Sequence, residues 1–398
     1  MLKKVIIGDL GEIYTGNTPS KKNNEYYESN DIMFIKPDIM SFDIENIAES
    51  NEYISEKARD KARIVPANSL LVSCIGNIGK LAINKEEASF NQQINAIVHN
   101  ENIVSSKYLA YLLKYNQKRL EAIANAPVVP IINKTQFSNF EVSIHESLET
   151  QKKIVEVLGK AQELIDKRKE QIEALDELVK SRFIEMFGDP ATNPKDWEVC
   201  EIGKYLNILT DYHSNGSYET LRDNVTLLDT PSYALMVRTT DLENNNFEDG
   251  VKYIDEHAYN HLEKSKVFGG EIIINKIGSA GKVYLMPFLN RPVSLAMNQF
   301  LLRFYENKVN HIFLYNLLLT PYMAIKINEK VRGAVTKTIT KDAIREINII
   351  VPPIELQNQF ADFINEVDKL KYQMETSLKE LENNFNSLMQ KAFKGELF

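Results

Sequence analysis

The sequence has little cysteine, no long apolar run and no excess of positive charge. Its 398 residues include two cysteines, Cys74 and Cys200, which excludes a disulfide framework and any all-cysteine zinc site. No uninterrupted apolar segment approaches the roughly 18 residues that a membrane-spanning helix requires. The first residues turn acidic at Asp9, too early for a secretory signal. We therefore expect a cytoplasmic protein under reducing conditions.

The net charge is −8, from 47 lysines and arginines against 55 aspartates and glutamates. This balance argues against a protein that coats nucleic acid, because DNA affinity depends on phosphate neutralisation. It says nothing about local patches. Residues 326–345 run against the trend, with six cations against Glu329 and Asp342. Charge alone leaves two interpretations of this window, a solvated helix face or a basic patch.

Short segments of the first half return in the second half in the same order. The offset between copies stays within 200 to 207 residues and is largest for the last two pairs, as a duplication with small loop insertions produces and chance matches do not. The matching pairs are Phe34–Lys36 with Met236–Arg238, Tyr53–Ala58 with Tyr253–Ala258, Ile75–Lys80 with Ile277–Lys282, Gln92-Gln93 with Asn298-Gln299, and Asn133-Lys134 with Thr340-Lys341.

Each half ends in a long helical pattern. Apolar positions from Ile154 to Val179 and from Phe360 to Leu388 alternate spacings of three and four, which is the heptad of a coiled coil. Gly188 and Gly395 follow as stop signals. About 40 helical residues form a rod of ~60 Å. Because a lone apolar seam needs a partner, we expect the two helices to pair antiparallel within the chain; homodimerisation through the same seam is the alternative.

The remaining segments combine short aliphatic runs, such as Ser69–Ser73 and Glu271–Asn275, with amphipathic helical patterns over Lys107–Leu120 and Ile312–Lys326. We predict a mixed α/β (α+β) fold with two similar globular domains joined by two long antiparallel coiled-coil helices, related by a pseudo-twofold. The predicted boundaries are 1–147 for the first globular domain, 148–188 for the first long helix, 189–353 for the second globular domain and 354–398 for the second long helix.

The sequence carries no recognisable catalytic constellation. Ile75–Lys80 has two residues between its glycines and an aliphatic residue after its lysine, whereas a Walker loop has four residues there and Ser or Thr; we interpret it as a turn. Val351–Ile354 contains the two prolines of an amino-methyltransferase motif without its flanking residues. His257 and His261 have a metal-compatible spacing but no evident third ligand. We expect no catalytic residue, cofactor or metal in this chain.

An ordered set of motifs resembles a known family. The motifs are Gly16–Lys21 followed by Tyr26-Tyr27, Ile35–Asp38, Gly76-x-x-Gly79-Lys80 before Asn91–Gln93, Val351–Gln357 and Ala392–Leu397. Together they resemble the DNA-specificity subunit of type I restriction–modification systems, over essentially the whole chain.

The resemblance implies a function in which other polypeptides perform the chemistry. Each globular domain would be a target-recognition domain that reads one half of a bipartite, asymmetric site in double-stranded DNA. The helices would space the half-sites and dock two modification (methyltransferase) subunits, with restriction subunits joining outside. S-adenosylmethionine and ATP would then be bound by partner subunits and not by this chain.

The residues themselves favour the same geometry. Two similar globular domains on a ~60 Å spacer can contact DNA at two places roughly one helical turn apart. The copies match at scaffold positions and differ in their loops, where Asn125–Pro130 corresponds to Arg332–Thr338. Unlike loops recognise unlike sequences, so we predict a non-palindromic site.

Candidate DNA-binding residues are the cations, hydroxyls and amides of these segments, since phosphates take cations or hydroxyls and base edges take Arg, Lys, Asn or Gln. In the first domain they are Thr18, Ser20, Lys21, Lys22, Lys36, Lys80, Gln92 and Lys134. In the second domain they are Arg238, Lys282, Arg332, Thr336, Lys337, Thr338 and Lys341.

The long helices carry further apolar residues beside or beyond the heptad seams, and two paired helices alone cannot cover all of this apolar surface. We expect helices of a partner protein to complete a bundle there; contact with the chain's own globular domains is the alternative. The candidate partner-binding residues are Val157, Leu164, Leu178, Phe183, Met186, Phe187, Ile364, Leu378, Met389 and Phe393.

Two other functions stay open from the sequence. A non-DNA coiled-coil adaptor accounts for the long helices but not for the duplicated globular domains. A single-chain DNA methyltransferase or nuclease requires an S-adenosylmethionine or metal site, which the motif search does not find.

Overall fold

The computed structural model describes residues 1–124 and 129–398. These residues form two compact units. Unit 1 comprises Met1–Glu170 and Glu375–Phe398, and unit 2 comprises Gln171–Met374. No helix within the described ranges has both the length and the apolarity to cross a membrane.

The described residues of unit 1 form eleven strands, three short α-helices and parts of two long ones. Its strands are β1 (Leu2–Ile6), β2 (Gly11–Thr15), β3 (Ile32–Ile35), β4 (Ile44–Ile47), β5 (Tyr53–Ile54), β6 (Ile64–Val65), β7 (Leu70–Ser73), β8 (Leu81–Asn84), β9 (Ala88–Phe90), β10 (Ile94–His99) and β11 (Glu141–His145). Its short helices are α1 (Ser106–Tyr115), α2 (Gln117–Ala122) and α3 (Lys134–Ser138), and the long helix α4 (Leu148–Phe187) begins here.

Unit 2 contains ten strands and six short helices. Its strands are β12 (Glu198–Glu201), β13 (Leu206–Asp211), β14 (Ala234–Val237), β15 (Lys252–Ile254), β16 (Lys266–Val267), β17 (Ile272–Asn275), β18 (Val283–Leu285), β19 (Val293–Leu295), β20 (Gln299–Phe304) and β21 (Asn348–Val351). Its helices are α5 (Tyr218–Asn224), α6 (Thr239–Glu243), α7 (Glu256–His261), α8 (His311–Leu318), α9 (Pro321–Lys330) and α10 (Lys341–Arg345), and the long helix α11 (Ile354–Lys394) begins here.

The two units share their sheet topology except for β4, an additional edge strand in unit 1. In unit 1 the sheets have the orders β2-β10-β7-β8-β4 and β5-β3-β9-β6, and in unit 2 they have the orders β13-β20-β17-β18 and β15-β14-β19-β16. In each unit a further two-stranded ladder joins the first strand to the strand before the long helix, β1 with β11 and β12 with β21. The structure therefore confirms the duplication and the mixed α/β fold class. The predicted four-segment boundaries stay a prediction.

Two predicted helices are each interrupted. The segment Lys107–Leu120 divides at Asn116, whose side-chain amide donates to the carbonyl of Leu112 at 2.8 Å. The segment Ile312–Lys326 divides before Pro321, where the Thr320 hydroxyl caps the new helix by accepting from the Met323 N–H at 3.4 Å. A proline lacks the N–H that a continuous helix requires but suits the first turn of a new one. Each prediction of one helix was wrong because it followed apolar spacing and passed over these signals.

The two long helices pack antiparallel, as the heptad pattern predicted. Within unit 1, the beginning of α4 shares one core with the end of α11: Ile154 and Leu158 join Phe385 and Phe393. Within unit 2, the end of α4 packs on the beginning of α11, and the rings of Phe187 and Phe360 lie 5.4 Å apart. Both helices end where the stop signals indicated, at Phe187 and Lys394.

Aromatic side chains of the long helices complete the cores of the globular parts. In unit 1 the ring of Phe393 lies 5.5 Å from Tyr108 of α1 and 5.3 Å from Tyr115. In unit 2 the ring of Phe187 lies 4.6 Å from Phe313 of α8. Long helix and sheet are thus parts of one core in each unit.

This packing corrects the predicted partner surface. Six of its ten residues are buried in the cores of the chain's own units and do not belong to an accessible docking surface. They are Phe183, Met186, Phe187, Ile364, Met389 and Phe393. The apolar spacing was correct, but it cannot tell a partner's helix from the globular part of the same chain. Of the other four, Leu164 is 55% and Leu178 is 47% exposed, while Val157 and Leu378 are partly buried.

Candidate nucleic-acid interface

In unit 1, candidate residues meet at one edge of the sheet that contains β3 and β9. These two strands are parallel, so both end at this edge, with Lys36 following β3 and Gln92 following β9. The N–H of Asn91 donates to the carbonyl of Ile35 at 3.2 Å. The Thr18 hydroxyl donates to the side-chain carbonyl of Gln92 at 2.9 Å, which brings the loop with Ser20, Lys21 and Lys22 to the same edge.

The Gly-x-x-Gly turn between β7 and β8 lies beside this edge. The N–H of Cys74 donates to the carbonyl of Gln93 at 2.7 Å. Gly76 and Gly79 have φ values of +77° and +86°, which suit glycine, and the Gly79 N–H closes the turn on the carbonyl of Ser73 at 2.9 Å. The segment is a hairpin turn. Its lysine, Lys80, donates to the carbonyl of Pro37 at 2.8 Å.

Unit 2 repeats this arrangement. Strands β14 and β19 are parallel and pair Val237 with Leu295, which places Arg238 as Lys36 is placed in unit 1. The N–H of Lys276 donates to the carbonyl of Asn298 at 2.7 Å. The Gly278-x-x-Gly281-Lys282 turn thus lies beside the same edge of its sheet.

A third segment joins each turn through backbone hydrogen bonds. In unit 2 the N–H of Gly278 donates to the carbonyl of Lys337 at 3.2 Å, and the N–H of Ile339 donates to the carbonyl of Lys276 at 3.1 Å. In unit 1 the N–H of Gly76 donates to the carbonyl of Pro130 at 2.9 Å. Residues 125–128 of the predicted contact loop lie outside the described residues.

Asp211 is the electrostatic centre of the unit 2 surface. Its carboxylate, 6% exposed, accepts from Lys276 at 3.0 Å, Lys341 at 2.8 Å and the Ser214 hydroxyl at 2.6 Å. Burial alone raises the pKa of Asp211, but the hydrogen bonds from Lys341, Ser214 and Lys276 outweigh it and lower the pKa to about 2. Two ammonium groups on one carboxylate leave a net positive charge, which favours a polyanion.

The other candidate cations fall into two groups. One group is held by carboxylates of the chain: Lys36 by Glu52, Arg238 by Asp241 and Lys282 by Glu243. The other group is exposed, and the described part of the chain gives these side chains no hydrogen bond or ion pair: Lys21, Lys22, Lys134 and Lys337. Ser20 and Thr336 are exposed in the same way, Thr338 is partly buried, and the Arg332 guanidinium donates to the carbonyl of Glu329 at 2.9 Å.

Several residues of this surface were not among the candidates predicted from the sequence. Lys276 occupies the position of Cys74, so a comparison that looked for similar residues did not mark it. Asn298 was matched to Gln92 and not included, but its carbonyl accepts from Lys276 as the carbonyl of Gln93 accepts from Cys74, so its true counterpart is Gln93. Lys61 and Arg63 are exposed and their backbone is held by the Asn17 side chain, which donates to the carbonyl of Lys61 and accepts from the N–H of Arg63, both at 2.6 Å.

Both spaced histidines, His257 and His261, lie in helix α7. Among residues 1–124 and 129–398 no three His, Cys, Asp or Glu side chains are grouped to hold a metal ion. The Nε2 atom of His257 lies 2.9 Å from the side-chain oxygen of Asn224.

A family model describes both units. Residues 2–174 and 194–383 match the type I restriction modification DNA specificity domain. The chain belongs to this family: it is a type I restriction–modification specificity subunit, of the class that recognises DNA and does not catalyse.

Curated relatives match the chain over different lengths. The chain is 26% identical over 419 aligned positions to the MjaIX specificity subunit of Methanocaldococcus jannaschii, covering 98% of this chain and 92% of the relative. It is 32% identical over 161 positions to the HindI specificity subunit of Haemophilus influenzae, covering 39% and 35% of the two chains.

Two solved structures share the fold. The S subunit of a type I system from M. genitalium superimposes with a TM-score of 0.57 at 16% identity, covering 99% of this chain and 96% of that one. A chain from a study of complex assembly and conformational transition of the type I system gives a TM-score of 0.60 at 14% identity, covering 100% and 98%.

We expect Asp211→Asn to destabilise the protein in a pH-dependent manner. Because the pKa of Asp211 is lowered from 3.8 to about 2, the ionised carboxylate stabilises the fold above pH ~4 and loses this effect as the pH falls toward ~2. The free energy of unfolding at pH 7 should fall by about 2 kcal/mol, with the difference shrinking below pH ~4. Urea denaturation at a series of pH values measures it.

The matched control is Asp229→Asn, since Asp229 pairs with one lysine, Lys252, and is exposed. It should change the free energy of unfolding far less than Asp211→Asn does, because solvent screens an exposed ion pair. Equal effects of the two substitutions would contradict the central role of Asp211.

Proposed function

We propose that the chain binds double-stranded DNA at a bipartite, asymmetric site, with each unit reading one half, as part of a complex with other restriction–modification subunits. The observation that carries the proposal is the repeated surface. In both units the same three segments meet at the carboxyl ends of two parallel strands: the residue after the first strand, the Gly-x-x-Gly turn and the segment that bonds to that turn. Two copies of one scaffold, each with exposed cations, suit two DNA contacts made by the same part of the fold.

Different side chains at equivalent positions support two unlike half-sites. The N–H of Cys74 donates to the carbonyl of Gln93, and its carbonyl accepts from the N–H of Ile132. The N–H of Lys276 donates to the carbonyl of Asn298, and its carbonyl accepts from the N–H of Ile339. The Cys74 thiol is buried and accepts from Asn95 at 3.3 Å, and burial raises its pKa to about 12. Lys276 instead carries a charge beside Asp211. One surface is neutral at the point where the other is cationic.

Partner docking is assigned to the exposed part of the long helices. Leu164 and Leu178 of α4 stay 55% and 47% exposed, and Ile184 of the same helix and Leu370 of α11 are exposed as well. We place two modification (methyltransferase) subunits there, with restriction subunits outside them. S-adenosylmethionine and ATP would be bound by those subunits, and the complex would act in the cytoplasm, where it meets cellular DNA.

Methylation sequencing tests the proposal. The chain is expressed with its modification subunit in a host that lacks other adenine methylation, and methylated adenines are mapped by single-molecule sequencing. The expected result is one interrupted motif whose two parts differ. Halves that are inverted copies, a continuous motif, or no methylation in the presence of the partner would overturn it.

We expect Lys337→Ala to weaken DNA binding and to reduce its salt dependence. The ammonium is exposed and unpaired among the described residues, so a phosphate contact there releases counterions on binding. The slope of log K against log salt should fall by about one unit. Fluorescence anisotropy of the assembled complex with site-bearing duplex measures the slope.

Lys308→Ala is the control for this measurement. Lys308 is exposed and follows the opposite end of β20 from Gln299, away from the proposed DNA surface. Its substitution should leave the slope unchanged. An unchanged slope for Lys337→Ala would remove that residue from the interface.

We expect Leu164→Asp and Leu178→Asp to impair assembly with the modification subunit without unfolding the chain. A carboxylate at an exposed leucine disrupts an apolar contact with a partner, whereas an exposed site tolerates it in the free protein. Size-exclusion chromatography of the mixed subunits measures assembly, and thermal denaturation measures folding. Val199→Asp is the control, because Val199 is 55% exposed and lies in β12, outside the helices. Normal assembly of both leucine variants would reject this docking surface.

A further inference from the structure

One apolar side chain stands out on the proposed DNA surface of unit 2. Val335 is 97% exposed and lies at the tip of the 332–338 hairpin, which comprises Arg332–Thr338. When a ligand covers an exposed aliphatic side chain, the binding free energy becomes more favourable, because apolar surface is removed from water. Val335 lies at the tip of a cationic segment, so the surrounding charge indicates which kind of ligand covers it.

The 332–338 hairpin is a fixed structure. Arg332 and Thr338 exchange two backbone hydrogen bonds of 2.8 Å each. Gly333 has a φ of +104°, and a side chain there would place its Cβ 2.1 Å from the carbonyl oxygen of Thr336, so the tip is closed as tightly as glycine allows. The base is attached to the Gly-x-x-Gly turn, since the N–H of Gly278 donates to the carbonyl of Lys337 at 3.2 Å. The chain therefore holds Val335 outward on a short, supported ribbon.

Positive charge surrounds the hairpin. Arg332 and Lys337 flank its tip, and both are exposed. At its base, Lys276 and Lys341 share the Asp211 carboxylate. This charge favours a polyanion as the ligand that covers Val335. The B-DNA major groove admits a two-stranded ribbon, and its apolar feature is the thymine 5-methyl group.

We propose that the 332–338 hairpin enters the major groove of the half-site read by unit 2 and that Val335 contacts a thymine 5-methyl group there. Val335 is then a specificity-determining residue that distinguishes one A·T pair by its methyl group, while Arg332 and Lys337 contact the phosphates on either side. The inference rests on the proposed function, because it needs unit 2 to read its own half-site.

Base substitution in the DNA tests the contact directly. Once methylation sequencing has defined the site, each thymine of the two half-sites is replaced singly by deoxyuridine, which lacks only the 5-methyl group. For the wild-type complex, one replacement should raise the Kd roughly fourfold, the value of one buried methyl group. With Val335→Ala the Kd for unmodified DNA should rise by a similar factor, and the same deoxyuridine should then have no effect.

Val199→Ala is the matched control, being an exposed valine of unit 2 outside the proposed surface. It should keep the wild-type Kd and deoxyuridine sensitivity. The inference is overturned by a unit 2 half-site without A·T pairs, by wild-type indifference to every deoxyuridine, or by a Val335→Ala loss that does not remove deoxyuridine sensitivity. In each of these cases the bipartite motif still stands, whereas failure of the proposed function removes the motif itself.

Discussion

The structure depends on the burial of large side chains of the long helices in the cores of the globular parts. Phe385, Met389 and Phe393 of α11 pack in unit 1, and Phe183 and Phe187 of α4 pack in unit 2. Each fully buried aromatic or methionine side chain contributes about 1.5–3 kcal/mol. In each unit this burial fixes the helices against the sheets, and the sheets in turn hold the candidate DNA surface at the ends of their parallel strands. The recognition loops therefore rest on a rigid support, which suits a surface that must discriminate between sequences.

Much of the fold could be predicted because duplication and heptad spacing are properties of the sequence itself. The offset of about 200 residues identified equivalent segments, and the structure places Ile75–Lys80 and Ile277–Lys282 in equivalent hairpins. The heptads predicted both long helices, and the presence of two such seams in one chain led to the prediction that they pair. The spacing could not identify what covers the residues beside the seam. Phe187 and Phe393 were assigned to a partner for that reason, although their rings pack on α8 and α1 of this chain.

The candidate site was predicted less completely, since it is assembled from distant segments. Asp211 lies 65 residues from Lys276 and 130 residues from Lys341, and no local pattern joins them. The repeat comparison also favoured residues that the copies share. Under the proposed function, the two units differ where they contact DNA. Lys276 replaces a buried cysteine, so a search for shared residues did not select it.

The order of the units along the chain has a consequence for biosynthesis. Unit 2 is one continuous stretch, Gln171–Met374, whereas unit 1 needs both Met1–Glu170 and Glu375–Phe398. On the ribosome, which makes the chain from its amino terminus, the first-made unit is thus the last to obtain all of its core. Until Phe393 is made, 278 residues after Tyr115, the surface around Tyr108 and Tyr115 lacks the ring that covers it in the folded chain.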